Sequence, residues 1–209
     1  MPAMFYMELT TSENDKYIKN LEQPPGRPIV ASTGSILSPL SIFLEKILTP
    51  MIPTTPSFLL GTGDFLKTIQ QLDKVPTESY LVTFNVKDLY TSIPHQHGIE
   101  SVNKLLSQAG MIPDQANLCL ELLSIVRTKK NVLFQDRYYL QNRGTAMGSN
   151  VAPPYANCYM ADYKSTVIYA SQLYQDNVLM WNHFIDEIFC IWQGTAESLH
   201  LFFQLLNSS

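Results

Sequence analysis

Apolar residues recur along the chain with spacings typical of helices in some segments and of strands in others. Clusters of proline and glycine divide the first third, and between them residues 38–48 and 63–72 have helical spacing. Further helical patterns cover 97–108 and 114–127. The pattern therefore predicts two helices before residue 80 and two between residues 97 and 127.

Three segments have the composition and alternation of strands. The run YLVTFNV (80–86) is rich in β-branched and aromatic residues and leads into KDLYTSIP, where a proline stops regular pairing. Residues 131–141 alternate around Gln135-Asp136-Arg137, a hairpin pattern. The apolar runs 181–185 and 188–192 flank Asp186-Glu187, which predicts a second hairpin with two carboxylates at a tight turn.

The segment between these hairpins, 152–174, is long enough for one helix of about five or six turns. Thr195 is placed to cap a last helix over 196–207. The order of elements predicts an α+β fold with an antiparallel sheet and helices packed on one of its faces.

Composition narrows the class of protein. With 45% apolar and 15% charged residues, the chain does not have the composition of a disordered protein. No apolar run approaches the roughly 18 residues of a membrane helix, so no membrane partner is predicted. Three cysteines without CxxC spacing favour neither a disulfide framework nor a zinc site, and a reducing intracellular compartment is expected.

The net charge of −4 hides an uneven distribution. Residues 127–143 hold five basic and one acidic side chain, whereas each flanking range has a net charge of −4. One interpretation is a phosphate-binding cluster; the other is an ordinary solvated hairpin, which charge alone favours. The five basic residues are Arg127, Lys129, Lys130, Arg137 and Arg143.

Two adjacent carboxylates at an apolar hairpin repel each other unless solvent or cations neutralise them. Alone, Asp186-Glu187 is best interpreted as an exposed turn. Other polar positions make a functional interpretation of this dipeptide worth considering. The predicted strand 80–86 contains Asn85, and Asp88 and Tyr90 follow it shortly.

Four ordered blocks resemble the reverse transcriptase of Penelope-like retroelements. They are GRPIVASTGS (26–35), LVTFNVKDLYTSIPH (81–95), YLQNRGTAMGSNVAPPYANCYM (139–160) and HFIDEIFCIWQGT (183–195). The resemblance implies fingers and palm regions of a right-hand polymerase, with the thumb absent. It assigns 1–25 to a poorly matched segment, 26–79 to the fingers and 80–209 to the palm.

The resemblance also implies two-metal chemistry, in which carboxylates hold two Mg²⁺ ions. Asp186 matches the essential aspartate of the hairpin motif, and Glu187 matches the second one with a longer arm. The metal-binding aspartate of the first palm strand matches Asn85, whose amide lacks the full negative charge. Asp88 is not expected to compensate, because residues three apart on a strand face opposite sides. Severe impairment of catalysis is therefore expected.

Other matched positions imply contacts with nucleotide and nucleic acid. Arg27 matches an arginine that neutralises the triphosphate, and Tyr90 the bulky residue that selects deoxynucleotides; without the other blocks, a loop arginine and a core tyrosine would be the alternatives. Asp88 matches the triphosphate pocket, with a turn or capping aspartate as the equal alternative. Gln141 is assigned to nucleotide binding; template or primer binding is assigned to Gly144, Ala146, Met147, Gly148, Lys129, Lys130 and Arg143. Gly144 and Gly148 could instead simply shape the loop.

The function predicted from the sequence is a reverse-transcriptase-like domain for template-directed deoxynucleotide addition, impaired in this copy. The alternative is a noncatalytic nucleic-acid-binding or scaffold remnant of a retroelement. The implied partners are an RNA template, a DNA primer and deoxynucleoside triphosphates, and no feature predicts a protein partner. The role of the family implies a nuclear location, although the sequence contains no import signal.

Overall fold

Two β-sheets and eight helices form the part of the chain that the structure describes. A computed structural model describes residues 3–9, 26–32, 34–72, 74–134 and 136–208. One sheet has four strands in the order β2-β1-β4-β5, and the other has three in the order β3-β7-β6. The strands are β1 (Ala3–Leu9), β2 (Gly26–Ala31), β3 (Tyr80–Asn85), β4 (Asn131–Phe134), β5 (Arg137–Leu140), β6 (Val178–Phe184) and β7 (Glu187–Trp192).

The helices surround the three-stranded sheet and connect it to the other sheet. A 3₁₀ helix, Thr49–Thr54, follows the first helix, and a single π turn, Lys164–Ile168, follows the sixth. The helices are α1 (Ser38–Leu48), α2 (Thr62–Gln70), α3 (Leu89–Ser92), α4 (His95–Gln108), α5 (Pro113–Thr128), α6 (Ala152–Tyr163), α7 (Gln172–Asn177) and α8 (Ala196–Asn207). No helix within the described ranges is both long and apolar enough to cross a membrane.

The main core lies on one face of the three-stranded sheet. β7 buries Ile188, Cys190 and Trp192 there. Phe202 of α8 stacks on Trp192 with ring centroids 5.0 Å apart and meets Trp181 of β6 edge to face at 5.9 Å. Aromatic contacts of this kind add to the free energy gained by burial. The antiparallel sheet and its helices agree with the predicted α+β class. The prediction that helices pack on one face only is wrong, because Phe65 of α2 packs on Phe189 on the other face, beside a cleft.

Thr195 caps α8 as predicted, because its hydroxyl oxygen accepts a hydrogen bond from the Ser198 backbone N–H at 3.1 Å. The predicted continuous helix over 152–174 is wrong. Helix α6 ends at Tyr163, the π turn follows, and a turn separates it from α7. All three cysteines are buried and free, consistent with the absence of a disulfide framework.

The four-stranded sheet is mixed, which the sequence pattern did not predict. β1 pairs antiparallel with β2 and parallel with β4. β1 lies within the 1–25 segment, which matched the family poorly, and β4 and β5 come from the range assigned to the palm. The division at residue 80 stays a prediction, and the sheet draws strands from both sides of it.

The loop 141–149 joins the four-stranded sheet to α3 through its backbone. The Val30 N–H donates to the Met147 carbonyl at 2.9 Å, and the Thr145 N–H donates to the Tyr90 carbonyl. Both loop glycines have positive φ and leave no room for a Cβ atom. One added at Gly144 would lie 2.3 Å from the Thr91 Cα, and one added at Gly148 would lie 2.5 Å from the Val30 carbonyl oxygen. The glycines therefore allow the loop to pack against protein backbone. This packing agrees with the interpretation that Gly144 and Gly148 shape the loop.

Gly144→Ala is expected to destabilise the protein by at least about 1–3 kcal/mol, because it combines a positive φ with a backbone collision. Gly63→Ala is the matched control, because Gly63 lies inside α2 with open space around it. The control is expected to be neutral or to stabilise by up to about 1 kcal/mol. Urea denaturation of both variants measures the difference, and equal stabilities would contradict the described packing of the loop.

Candidate functional site

The Asp186-Glu187 hairpin turns more tightly than the sequence pattern predicts. β6 ends at Phe184 and β7 begins at Glu187, so the turn consists of Ile185 and Asp186. Ile185 has a φ of 54°, which is strained for a β-branched residue. The prediction that both carboxylates lie at the turn is wrong for Glu187, which is a strand residue. Strain of this kind concentrates at functional sites.

Asn85 lies directly across from the hairpin. In the antiparallel register of β3 and β7, Asn85 pairs with Glu187, so their side chains share one face of the sheet. The Val86 N–H donates to the Asp186 carbonyl at 2.8 Å and holds the end of β3 against the turn. The structure thus brings together the three positions predicted as catalytic.

Asn85 and Glu187 line a cavity of about 680 Å³ on the face of the sheet opposite the main core. Across the cavity lie Thr62 and Phe65, at the start of α2. Phe65 meets Phe189 edge to face with centroids 5.0 Å apart, which packs α2 onto the sheet. The carboxylate of Glu187 and the amide of Asn85 thus occupy one solvent-accessible cleft.

Tyr90 is half-buried and packs against the main core. Burial, with a smaller contribution from the negative charge of Asp186, raises the pKa of the Tyr90 hydroxyl. This packing agrees with the interpretation of Tyr90 as a core tyrosine, and its contact with an incoming sugar stays a prediction.

Asp88 is not on a strand, so the argument that strand alternation turns it away from Asn85 does not apply. β3 ends at Asn85, and Asp88 has a left-handed φ of 53° at the start of α3. Its carbonyl accepts the backbone N–H groups of Thr91 and Ser92 at 3.0 Å each. Its side chain is exposed and caps no helix. The backbone of Asp88, rather than its carboxylate, shapes the turn.

The predicted basic cluster divides into buried and exposed members. Arg127 is buried, with its guanidinium 4.1 Å from the centre of the Tyr155 ring. Lys130 is also buried and donates to the Ser32 hydroxyl at 2.7 Å; burial, then the charge of Arg127, lowers its pKa to about 8. The placement of Lys130 therefore does not support direct contact with phosphates. Lys129, Arg137 and Arg143 are exposed.

The remaining predicted positions lie in or near the loop 141–149. The Gln141 side-chain amide donates to the Arg143 carbonyl at 2.9 Å. Ala146 is buried in a small cluster with Val30 and Val132. Met147 is half-buried and bonds to β2 through its carbonyl. Arg27 belongs to β2, but its side chain lies outside the described residues, so its predicted contact with the triphosphate stays a prediction.

The donor set at the hairpin does not fit two magnesium ions. Asp186 and Glu187 supply two carboxylates, and the third position holds the neutral amide of Asn85. Within the described ranges, no group of three His, Cys, Asp or Glu side chains comes together as a metal site. The amide of Asn85 leaves this donor set one negative charge short of the set that the resemblance implies for two divalent cations.

A buried network anchors the hairpin from the outer side of β6. His183 and Ser57 pair through their backbones, and the Leu59 N–H donates to the His183 carbonyl, both at 2.9 Å. The Lys164 ammonium lies 2.7 Å from the Pro56 carbonyl oxygen, 3.1 Å from Ser57 Oγ and 3.1 Å from His183 Nδ1. Lys164 begins the π turn, so the break in the predicted long helix coincides with this anchor.

Sequence reasoning missed this network. Lys164 is the only basic residue after residue 143, and it interrupts an apolar helical pattern. A lone lysine inside such a pattern is the signal that could have suggested a buried, hydrogen-bonded cation. Its partners at 56, 57 and 183 are distant in sequence and no periodicity connects them.

Comparison with known proteins finds similarity in fold only. No family model matches the chain, and no curated protein matches its sequence. Among solved structures, apo telomerase from Candida tropicalis aligns over 99% of this chain with 10% identity and a TM-score of 0.66. Telomerase from Candida albicans in complex with a fragment of telomeric RNA aligns over 99% with 9% identity and a TM-score of 0.67.

This chain spans 41% and 40% of the length of those two telomerase chains. Telomerase is a reverse-transcriptase-related enzyme, and the chain shares the fold of the aligned part of it. At this identity the comparison shows the fold alone.

The buried network predicts a dependence of stability on pH. Burial lowers the pKa of Lys164 to about 7 from an ordinary 10.5; burial and the Lys164 charge lower that of His183 to about 4 from 6.5. Between each folded and unfolded pKa the unfolded state binds more protons, so the free energy of unfolding rises with pH there. Stability should rise from pH 4 to 6.5, and again above pH 7 by up to about 1.4 kcal/mol per pH unit.

Denaturation from pH 7 to pH 8.5 measures mainly the contribution of Lys164. Most tyrosine and cysteine side chains titrate above this range in both the folded and the unfolded state. Lys164→Met should remove most of the slope in this interval, leaving the part due to Lys130. Lys104→Met is the control, because Lys104 forms an exposed ion pair with Asp162. An unchanged slope in Lys164→Met would show that Lys164 does not titrate in this interval.

Proposed function

We propose that this chain is the fingers and palm of a reverse transcriptase of Penelope-like type, whose ancestral reaction adds deoxynucleotides to a DNA primer on an RNA template. One observation carries the proposal: within a fold of the reverse-transcriptase type, the register of β3 and β7 brings Asn85 opposite Glu187 and beside the Asp186 turn. These positions are the ones that the motif resemblance assigns to metal-binding carboxylates.

The proposal includes an impaired active site. Asp186, Glu187 and position 85 are the residues that would hold metal ions, which would supply activation of the primer hydroxyl and stabilisation of the leaving pyrophosphate. The hairpin retains two carboxylates, but Asn85 supplies a carbonyl dipole where the reaction requires a full charge. Removing one preorganised electrostatic group from an active site typically lowers the rate about 10²- to 10³-fold.

Tyr90 is proposed to lie beneath the sugar of the incoming nucleotide. Its half-buried ring packs on the core, and its carbonyl accepts a hydrogen bond from Thr145 in the loop 141–149, which fixes the position of its backbone. A rigid ring at this place would exclude a 2′-hydroxyl and select deoxynucleotides. Arg27 and Gln141 are proposed to contact the triphosphate, as the resemblance implies.

The RNA template is a proposal that the comparison supports, since the Candida albicans telomerase structure holds a fragment of telomeric RNA. A nuclear location follows from the same proposed lineage and has no support of its own from the structure.

A noncatalytic nucleic-acid-binding protein is the second candidate function. Asn85 favours it, because that residue removes a metal ligand while the surrounding fold is retained. The net charge of −4 favours a scaffold form of this noncatalytic protein, because tight binding of long nucleic acids depends on many basic contacts. The two candidate functions predict different results for Asn85→Asp: only the polymerase should gain primer extension when a carboxylate stands at position 85.

Primer extension on a homopolymer RNA template with an annealed DNA primer tests the proposal. The unmodified chain should extend the primer near background, and Asn85→Asp should increase the rate at least tenfold without reaching that of typical polymerases. Asn85→Asp combined with Asp186→Asn is the matched control and should return the rate to background.

Extension by the unmodified chain at a typical polymerase rate would contradict the claim of impairment. If Asn85→Asp gives no gain while the variant remains folded and still binds RNA, the noncatalytic function is correct instead.

A further inference from the structure

The edge strand of the four-stranded sheet exposes a run of large apolar side chains. Among the described strands β5 pairs with β4 alone, and Tyr138, Tyr139 and Leu140 are 69%, 50% and 54% exposed. Neither tyrosine is used by the catalytic site described above. A large exposed apolar side chain is a candidate for ligand binding where it lines a cavity.

The two tyrosines face opposite sides of β5, because successive residues of a strand alternate. Tyr139 pairs with Val132, which is buried, and it lines a cavity of about 520 Å³. Arg143 and Gln141 line the same cavity. Tyr138 is not among the residues that line it. One tyrosine therefore belongs to a concave site, and the other provides a matched comparison on the same strand.

Exposed positive charge flanks this cavity. Lys129 and Arg143 lie at the open end of the β4–β5 hairpin, and Arg137 begins β5. The one acidic residue of 127–143 is Asp136, and the rest of the chain carries 9 basic and 17 acidic side chains. A polyanion is therefore attracted here and repelled by the remaining surface.

We propose that Tyr139 stacks on an unpaired base of a single-stranded nucleic acid that occupies this cavity, while Arg143 and Lys129 bind the adjoining phosphates. Aromatic rings beside basic side chains are the usual means of binding single strands, because every base offers a face for stacking. A duplex does not fit this site, since its bases are already stacked and the cavity has the size of a small-ligand pocket.

The cavity adjoins the candidate active site, which makes the template the expected strand. Thr91 lines the cavity and belongs to α3, which begins four residues after Asn85. The Tyr90 carbonyl accepts the N–H of Thr145, another lining residue. A strand seated on Tyr139 would therefore pass close to the hairpin carboxylates. In this respect the inference rests on the proposed function and adds the place where the unpaired template binds.

Fluorescence anisotropy with a labelled 12-nucleotide single-stranded RNA tests the proposal on the full chain. Tyr139→Leu keeps an apolar side chain but removes the ring, and it should weaken binding roughly 5- to 150-fold, the effect of one lost base stack. Tyr139→Phe should stay within about twofold of the unmodified chain. Tyr138→Leu, on the opposite face of β5, should also change the affinity less than about twofold.

The charge component is measured separately through the salt dependence. Arg143→Gln should reduce the slope of log K against log salt by about 0.7, the loss of one phosphate contact with a single strand. A duplex of the same sequence should bind more weakly than the single strand, and its affinity should not depend on Tyr139. Far-ultraviolet circular dichroism of each variant checks that the fold is retained.

Equal affinities of Tyr139→Leu and Tyr138→Leu would overturn the proposal, as would equal binding of duplex and single strand. If the chain binds no RNA, but β5 pairs with a protein strand at its open edge, the site is a protein interface and the proposal is wrong. If RNA binding depends on Tyr139 but Asn85→Asp does not extend a primer, only the polymerase function is rejected. If Asn85→Asp extends a primer but Tyr139→Leu does not change RNA binding, only this binding site is rejected.

Discussion

The pairing of β7 with strands on both of its sides is the constraint on which the candidate site depends. Its register with β3 sets Asn85 opposite Glu187, and its register with β6 sets Phe184 opposite the same residue. A slip of one residue would turn Glu187 toward the core and the apolar residues of β7 toward the cleft. The burial of Ile188, Cys190 and Trp192 therefore fixes the position of the carboxylates. The chemistry of the cleft depends on a register that the hydrophobic core enforces from the other face of the sheet.

Buried cations with neutral partners hold the elements around this sheet together. Lys164 joins the π turn to the hairpin, Lys130 joins β4 to Ser32 after β2, and Arg127 stacks on Tyr155 of α6. None of the contacts described for these three cations involves a carboxylate. Burial without a countercharge lowers the pKa of each group, so the charged forms are destabilised in the folded state. The stability of the fold therefore depends on pH through these three cations, and not only through the groups of the candidate site.

Patterns of neighbouring residues predicted individual helices and hairpins. The interactions that these patterns did not predict join residues that are distant in the sequence. The hairpin of β6 and β7 was predictable because two apolar runs flank a polar dipeptide, and Thr195 because capping depends on neighbouring residues. The pairing of β1 with β4 was not, since it joins segments more than 120 residues apart. The π turn at Lys164 was missed because its cause, the contacts with 56, 57 and 183, lies outside the helix. For the site, the match to the family motif indicated the substitution at Asn85. Charge could not show that Arg127 and Lys130 are buried, because burial depends on Tyr155 and Ser32.

The account centres on a site that keeps its geometry and lacks one carboxylate, and binding of Mn²⁺ followed by electron paramagnetic resonance tests this most directly. Mn²⁺ prefers the same oxygen ligands as Mg²⁺, and its free form is readily measured. The unmodified chain should bind Mn²⁺ weakly, Asn85→Asp should bind at least tenfold more tightly, and adding Asp186→Asn should cancel the gain. Equal affinity of the unmodified chain and Asn85→Asp would contradict the account, because it would show that position 85 does not share a metal site with the hairpin.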